Sequence, residues 1–376
     1  MKIDKLASKK VLIALNSAWN LANFRAGLIS GLISAGYEVI AVAPPDKYVQ
    51  RITELGCVYV PFSMDGQGKN PVNDFFLFIR FLRLFLIVKP NVYLGFTIKP
   101  NLYGSLAAHV LGIPAINNIA GLGVVFGQRN WLTRLVRLLY GVSLSRSKLV
   151  FFQNEEDRQL FISLKLVDLS IADRLPGSGV NLKKFSPVPL PNKSPMRFIL
   201  IARMLWDKGV GEFVEAARLL KQRHVNAEFC LLGFLDVENP KAISKLQIDQ
   251  WREEGVILYL GVSDNVIEEI AMADCIVLPS FYREGTPRTL LEAAAMARPI
   301  ITTDSVGCRD VVEDGVNGFL CRPKDAYDLS EKMYRMYALR PDEREAMGKF
   351  GREKVEREFD EKIVIDKYLT AIQNAV

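Results

Sequence analysis

Four charged residues of this 376-residue chain stand at spacings suited to a phosphorylated polyol. In "EGTPRTLLE" (284–292), Glu284 precedes a Gly-Thr-Pro turn and Glu292 follows it eight positions on. Thr286 is a favourable N-cap and Pro287 a favourable first helical residue, so the stretch predicts a helix with Glu292 in its second turn. Such a helix start offers unpaired amides and a positive dipole end, which suit phosphate. A carboxylate beside it cannot bind phosphate but can accept hydrogen bonds from sugar hydroxyls. In "ARMLWDKG" (202–209), Arg203 and Lys208 lie five apart in a strand-to-helix loop. Two cations there can hold a diphosphate and neutralise it as it leaves. Either pair in isolation also fits solvated surface charges. Their agreement in position, sign and chemistry favours a nucleotide-sugar site.

The elements that must position these groups follow from the apolar pattern. The chain is 49% apolar and too long for one ordinary core, which predicts two domains. "VLIALNS" (11–17) reads as a strand, "FRAGLISGLISAGY" (24–37) as an amphipathic helix and "EVIAVAP" (38–44) as the next strand. Further strands are expected at 58–62, 92–96, 115–120 and 149–154. "PVPLPNKSPM" (187–196) has four prolines and cannot be the interior of an element. After it the alternation begins again, with strands at 197–202, 227–233, 256–261, 275–279 and 299–304 and a helix at 210–222. The expected organisation is α/β. Residues 1–188 form one Rossmann-like domain, 189–196 a linker and 197–355 a second. Residues 356–376 form a C-terminal helix packing back on the first. In doubly wound parallel sheets, ligands collect at the carboxyl ends of the strands.

Other chemistries are poorly served. The five cysteines are scattered with no CxxC pair, and His109 and His224 have no metal-site spacing, so a reduced cytosolic setting without a structural metal is expected. No apolar stretch before the first strand has the length of a signal peptide. The net charge of +6 conceals an asymmetry. Residues 1–190 hold 22 Lys/Arg and 11 Asp/Glu, whereas 191–376 hold 26 and 31. Between Phe75 and Asn154 there are nine basic residues and no acidic one. The basic half lacks the aromatic–basic interleaving of a nucleic-acid groove, so no nucleic-acid partner is expected.

Arg203-x4-Lys208 with Glu284-x7-Glu292 resembles the signature of glycosyltransferase family 4, of the GT-B fold. "GSGVNLKKFSP" (177–187) and "GCRDVVEDGVNGFL" (307–320) resemble that family's flanking segments. Within it, "TIKPNLYGSLAA" (97–108), "NNIAGLGVVFG" (117–127) and "FFQNEEDRQLF" (151–161) resemble bacterial enzymes that build capsule, O-antigen and lipid-linked glycans. The resemblance covers essentially the whole chain. It implies two Rossmann-like doubly wound domains facing a central cleft, a UDP-linked donor and a polyprenyl-diphosphate-linked acceptor. The implied reaction retains anomeric configuration and needs no metal or other cofactor. Arg203 and Lys208 would hold the donor diphosphate, Glu284 the donor sugar and Glu292 the ribose. The backbone of Gly285, Thr286 and Pro287 would lie against the sugar, and Thr289 and Leu290 would offer amides to the phosphates. Gly233 and Phe234 would lie near the base. Many relatives carry a Gly-Gly pair in the first loop, where this chain has "NSAWNLANFR" (16–25), and Asn23, Phe24 and Arg25 are assigned that place near the diphosphate. Many also carry a histidine where this chain has Ala120, so no histidine role is carried over.

"FFLFIRFLRLFLIV" (75–88) is too short and too charged to span a bilayer, yet more apolar than an ordinary surface helix. "NWLTRLVRLLYGVSLSRSK" (130–148) repeats the pattern. Both fit helices wedged against a sheet. The missing acids also fit a peripheral face on anionic lipid at the inner side of the cytoplasmic membrane, with Arg80, Arg83, Arg134 and Arg137 at headgroup level. Lys99, Asn101 and Tyr103 are candidates for the acceptor side. Two other classes share this architecture: a sugar-nucleotide epimerase, which would need no acceptor, and a non-catalytic lipid or nucleotide binder.

Overall fold

A computed structural model describes residues 9–64, 70–122, 131–191, 193–235 and 239–376. The chain start, Asn192 of the proline-rich stretch and the end of "NNIAGLGVVFG" lie outside the described residues. The chain forms two compact units, Met1–Ser178 with Glu361–Val376, and Gly179–Asp360.

The first unit is built on a seven-stranded sheet. Its strands are β1 (Lys10–Ala14), β2 (Glu38–Ala43), β3 (Val58–Pro61), β4 (Val92–Phe96), β5 (Ala115–Ile119), β6 (Leu149–Phe152) and β7 (Ala172–Arg174). They lie in the order β3-β2-β1-β4-β5-β6-β7, every pair parallel. The second unit repeats the plan with β8 (Met196–Ile201), β9 (Ala227–Leu232), β10 (Leu258–Tyr259), β11 (Cys275–Leu278), β12 (Ile300–Thr303) and β13 (Gly318–Cys321). These run β10-β9-β8-β11-β12-β13, again all parallel. Helices cover both faces of such sheets, so the central strands are uninterrupted apolar runs such as "VLIA" and "CIVL", buried throughout. In each sheet the strand order reverses between two neighbours, β1 and β4 in the first and β8 and β11 in the second. The loops leaving those strands diverge and leave a crevice at their carboxyl ends.

Four features depart from the sequence expectations. The chain passes between units at Ser178–Gly179 and Asp360–Glu361 rather than in the proline-rich stretch. That stretch is tied to the second unit, because fully buried Arg298 donates to the carbonyls of Val188 and Pro189 at 2.9 and 2.8 Å. Arg352 similarly donates to the Phe185 carbonyl at 2.8 Å. The C-terminal region is two helices: Pro341–Glu358 stays with the second unit and Glu361–Gln373 joins the first. There Tyr368 is buried against Phe96 and Phe151, and its hydroxyl accepts from Asn118 Nδ2 at 3.0 Å. Short edge strands β7 and β13 complete the sheets, and their three and four residues are too few to show a period in sequence. Finally, residues 24–37 are not one helix. Ser17 accepts from the Asn20 amide at 3.1 Å and starts a helix over Ala18–Phe24. Arg25 breaks it, and a second runs over Ala26–Ser34.

Candidate active site

The two charged motifs leave neighbouring strands of the second sheet. Arg203 and Lys208 follow β8, and Ser280 to Glu292 follow β11, so both stand where the strand order reverses. Backbone bonds fix them together. The Asp207 carbonyl accepts from the amides of Phe281 and Tyr282 at 3.2 and 3.1 Å. Gly209 then turns the chain into the helix Val210–Gln222 at φ 77°, where a Cβ would collide with the Pro279 carbonyl oxygen.

Lys208 and Glu284 form an ion pair, their side chains 11% and 17% exposed. The other Glu284 oxygen accepts from the Ser280 hydroxyl at 2.9 Å. Ser280 is fully buried and is itself held from behind, its carbonyl accepting from the hydroxyls of Thr303 and of Ser305, the latter at 2.9 Å. Cys308 lies beneath this cluster, its thiol pushed up to about 11 by burial and by the Glu284 charge. Gly307, at φ 82°, approaches so closely that a Cβ would strike the Gly285 carbonyl oxygen. The Lys208 ammonium also lies 5.5 Å from the centroid of Tyr282. Burial raises the Tyr282 phenol, against the opposing charge of Arg203. The Arg203 side chain is exposed and makes no hydrogen bond or ion pair among the described residues, while its carbonyl accepts from the Leu205 amide at 2.8 Å.

The helix after the loop spans Arg288–Ala295, one residue later than expected. Pro287, not Thr286, is the N-cap, its backbone extended (ψ 120°) and with no side-chain cap. The Pro287 carbonyl takes the Leu290 amide at 3.1 Å, so Leu290 does not offer its N–H outward. The Thr289 amide donates to no other group among the described residues, and the Thr289 hydroxyl donates to the Ile201 carbonyl at 3.2 Å, pinning the helix start to the end of β8. Glu292 accepts from Arg288 Nε at 2.9 Å. Burial raises its carboxyl, while the Arg288 charge and hydrogen bond and the Lys184 charge oppose. Gly285, Thr286 and Pro287 are buried, with their backbone forming the wall between the two glutamates. At the end of β9, Gly233 has φ 148° and no room for a Cβ beside the Ala202 carbonyl. The Phe234 carbonyl accepts from the Met204 amide at 3.0 Å, so this loop borders the Arg203 loop.

The first unit brings its own candidates to its own reversal point, between β1 and β4. Asn23, Phe24 and Arg25 stand at the end of the helix Ala18–Phe24, not in a loop. Asn23 donates back to the Trp19 carbonyl at 2.9 Å, Phe24 packs edge-on to Trp19, and buried Arg25 stacks 4.3 Å over Phe96. After β4, Lys99 Nζ and the Tyr103 hydroxyl both donate to Asp74, each at 2.8 Å. Asn101 is turned inward, donating to the Asn118 carbonyl at 2.8 Å and accepting from Asn117 at 2.9 Å. Of the four arginines, Arg83 and Arg134 are exposed, while Arg80 donates to the Ser63 carbonyl at 2.6 Å and Arg137 is half-buried.

Ser280, Thr303, Ser305, Gly307, Arg288 and Asp74 are absent from the sequence expectations. Each acts on a site residue through a contact, and only Ser280, a small polar residue ending a buried strand, carries a local signal. Among the described residues, no group of three or more His, Cys, Asp or Glu side chains could hold a metal.

Comparison with known proteins shows the family and the fold. Residues 183–354 match the model of the family described as glycosyl transferases group 1. A curated relative from Campylobacter jejuni, N,N'-diacetylbacillosaminyl-diphospho-undecaprenol alpha-1,3-N-acetylgalactosaminyltransferase, is 31% identical over 84% of this chain and 85% of its own. The putative colanic acid biosynthesis glycosyltransferase WcaL of Escherichia coli is 28% identical over 67% of this chain and 66% of its own. Among solved structures, Anabaena Alr3699/HepE in complex with UDP-glucose matches with a TM-score of 0.77 over 98% of this chain and 100% of its own, at 15% identity, which shows the GT-B fold. The chain belongs to the group 1 glycosyltransferases and is a glycosyltransferase of GT-B fold.

Proposed function

We propose that this enzyme moves a hexose or N-acetylhexosamine from a UDP-sugar to a polyprenyl-diphosphate-linked saccharide during assembly of a bacterial surface polysaccharide or glycan. Configuration is retained and no metal is used. The observation that carries this reading is the meeting of Lys208 with Glu284 at the reversal point of the second sheet. Two cations suited to a diphosphate and two carboxylates suited to hydroxyl groups lie in the segments that follow the adjacent strands β8 and β11. The Campylobacter relative's lipid-diphosphate-linked acceptor and the UDP-glucose of the Anabaena structure support the choice of substrates.

In this reading the donor diphosphate lies against Arg203, Lys208 and the Thr289 amide. Glu292 accepts from the ribose hydroxyls, Glu284 from the donor sugar, and Gly233 and Phe234 border the base. The acceptor hydroxyl attacks the anomeric carbon on the face the diphosphate leaves. The departing phosphate oxygen takes the acceptor proton, and Arg203 and Lys208 neutralise the charge that develops, the part a metal plays elsewhere. Lys99 and Tyr103 are the first unit's candidates for holding the acceptor. An acceptor of this kind brings the enzyme to the inner face of the cytoplasmic membrane as a peripheral protein on an anionic surface.

A thermal-shift panel with UDP, GDP, ADP and CDP and their common sugars tests the donor. A ligand at about 100 times its dissociation constant adds roughly 2.7 kcal/mol, so the matching nucleotide raises the melting temperature by several degrees. Transfer to a lipid-diphosphate acceptor follows, with the product's anomeric configuration read by NMR. Turnover of the sugar nucleotide without an acceptor, inversion at the anomeric carbon, or loss of activity on chelation would each overturn part of the reading.

A further inference from the structure

The helices Pro71–Val88, Ser105–Val110 and Trp131–Leu144 connect β3 to β4, β4 to β5 and β5 to β6, and so lie on one side of the first sheet. In the first of them, Leu77, Phe81, Leu84 and Phe85 are buried against the sheet. The opposite face should be polar, as in an ordinary amphipathic helix. It carries Val72, Phe75, Phe76, Ile79, Arg83, Leu86 and Ile87 instead, at successive three- and four-residue steps. Phe75, Phe76, Leu86 and Ile87 are 60, 58, 58 and 80% exposed. Val110 on the second helix and Leu135, Leu138 and Val142 on the third extend the same outer layer and are exposed too. Exposed apolar side chains gathered on one layer in this number mark a docking face.

Its charge says what docks there. Arg83, Lys89, Arg134, Arg146 and Lys148 are exposed on or beside these helices, and no acidic residue occurs between Phe75 and Asn154. The nearest carboxylate in sequence, Asp74, is already engaged by Lys99 and Tyr103. A second copy meeting this face about a two-fold axis would set like arginines against a surface without acids, because a two-fold interface repeats one patch on both partners. An anionic bilayer supplies both missing complements, phosphate at headgroup depth and hydrocarbon just below.

We propose that this layer docks on anionic bilayers by inserting apolar side chains, with Phe75, Phe76, Leu86 and Ile87 as the anchor and Arg83 and Arg134 setting the lipid preference. Arg80 and Arg137, turned into the fold, take no part. This deepens the lipid-linked-acceptor reading and rests on it for its purpose: the same face that holds the enzyme delivers it to its acceptor.

The test is co-sedimentation of the full chain with vesicles of phosphatidylcholine, alone or with 30% phosphatidylglycerol, at about 0.1 and 0.5 M NaCl. Wild type is expected on the anionic vesicles, with a clear fraction retained at high salt, where exposed charge interactions are screened. Phe76→Ser with Ile87→Ser should lower partitioning at least tenfold at both salts, whereas Leu246→Ser, an exposed apolar position in the second unit, should not. Arg83→Gln with Arg134→Gln should abolish the preference for anionic vesicles and spare the salt-resistant part. Undiminished binding by the Phe76/Ile87 variant at an unchanged melting temperature would overturn the proposal. So would absence of wild-type binding, or a wild-type dimer by light scattering that this variant dissolves. Transfer to a short, water-soluble acceptor separates the two readings: the Phe76/Ile87 variant should retain it, and its absence in wild type would count against the transferase substrates, not the docking face.

Discussion

Lys208 and Glu284, 76 positions apart in the chain, are joined as an ion pair, and the same carboxylate accepts the Ser280 hydroxyl at 2.9 Å. One carboxylate therefore links the cation of one motif to the strand end of the other. In the proposed function, a nucleotide sugar entering here would replace part of an existing hydrogen-bond set.

Glu284→Ala is expected to abolish transfer, by at least a thousandfold, with the cooperative melt preserved. Removing one partner of a part-buried pair costs on the order of 1–3 kcal/mol, a few degrees in melting temperature. Near-normal turnover in a radiolabelled-sugar assay would take Glu284 out of the site.

Arg203→Ala separates chemistry from stability. The side chain is exposed and holds no partner among the described residues, so the melting temperature should stay within about a degree. Its loss should cost about 3 kcal/mol of transition-state stabilisation, on the order of a hundredfold in kcat. A fall of less than tenfold would remove its leaving-group role.

Ser280→Ala removes the donor that orients Glu284. A hydrogen bond to a charged group is worth roughly 1.5–3 kcal/mol, and kcat should fall while the KM for the donor holds. An unchanged kcat would show that the Ser280 hydroxyl does not orient the carboxylate.

Gly307→Ala and Gly315→Ala form a matched pair. Both glycines have positive φ, 82° and 78°, but only at Gly307 would a Cβ strike another residue, the Gly285 carbonyl. The Gly315 change should cost about 1 kcal/mol and leave activity alone. The Gly307 change should cost more than that and displace the loop carrying Glu284. Equal losses in urea melts, with equal activities, would mean that the loop yields without consequence.

Burial raises the Glu292 carboxyl, and Arg288 and Lys184 only partly offset it. Its folded pKa then lies above the unfolded one, so the folded state holds more protons between the two values. Its contribution to stability is fully present below the unfolded pKa, near 4.5, and is lost as pH rises through the folded value. Glu292→Gln should flatten that part of the stability–pH curve, read from denaturant melts at a series of pH values. An unchanged slope would place the Glu292 pKa at its ordinary value.

Much was legible in the chain because it depends on neighbours in sequence. Apolar runs such as "CIVL" and "EVIAVA" determine buried parallel strands, and prolines and glycines end them where side-chain or amide geometry forbids continuation. The Arg203–Lys208 and Glu284–Glu292 spacings each fall within one loop-and-helix unit, so the placement of those four residues at strand ends was decided locally. What lay beyond the sequence were relations between distant segments. The unit boundary fell at Ser178–Gly179 because Arg298, more than a hundred positions downstream, claims the carbonyls of Val188 and Pro189. Asn101 turned from a surface candidate into a buried amide because β5 set Asn117 and Asn118 within its reach. Lys208 met Glu284 only once β8 and β11 paired, and Gly307 came against the Gly285 carbonyl only once β12 paired with β11. Strand order is set by packing over the whole chain, and residue spacing does not record it.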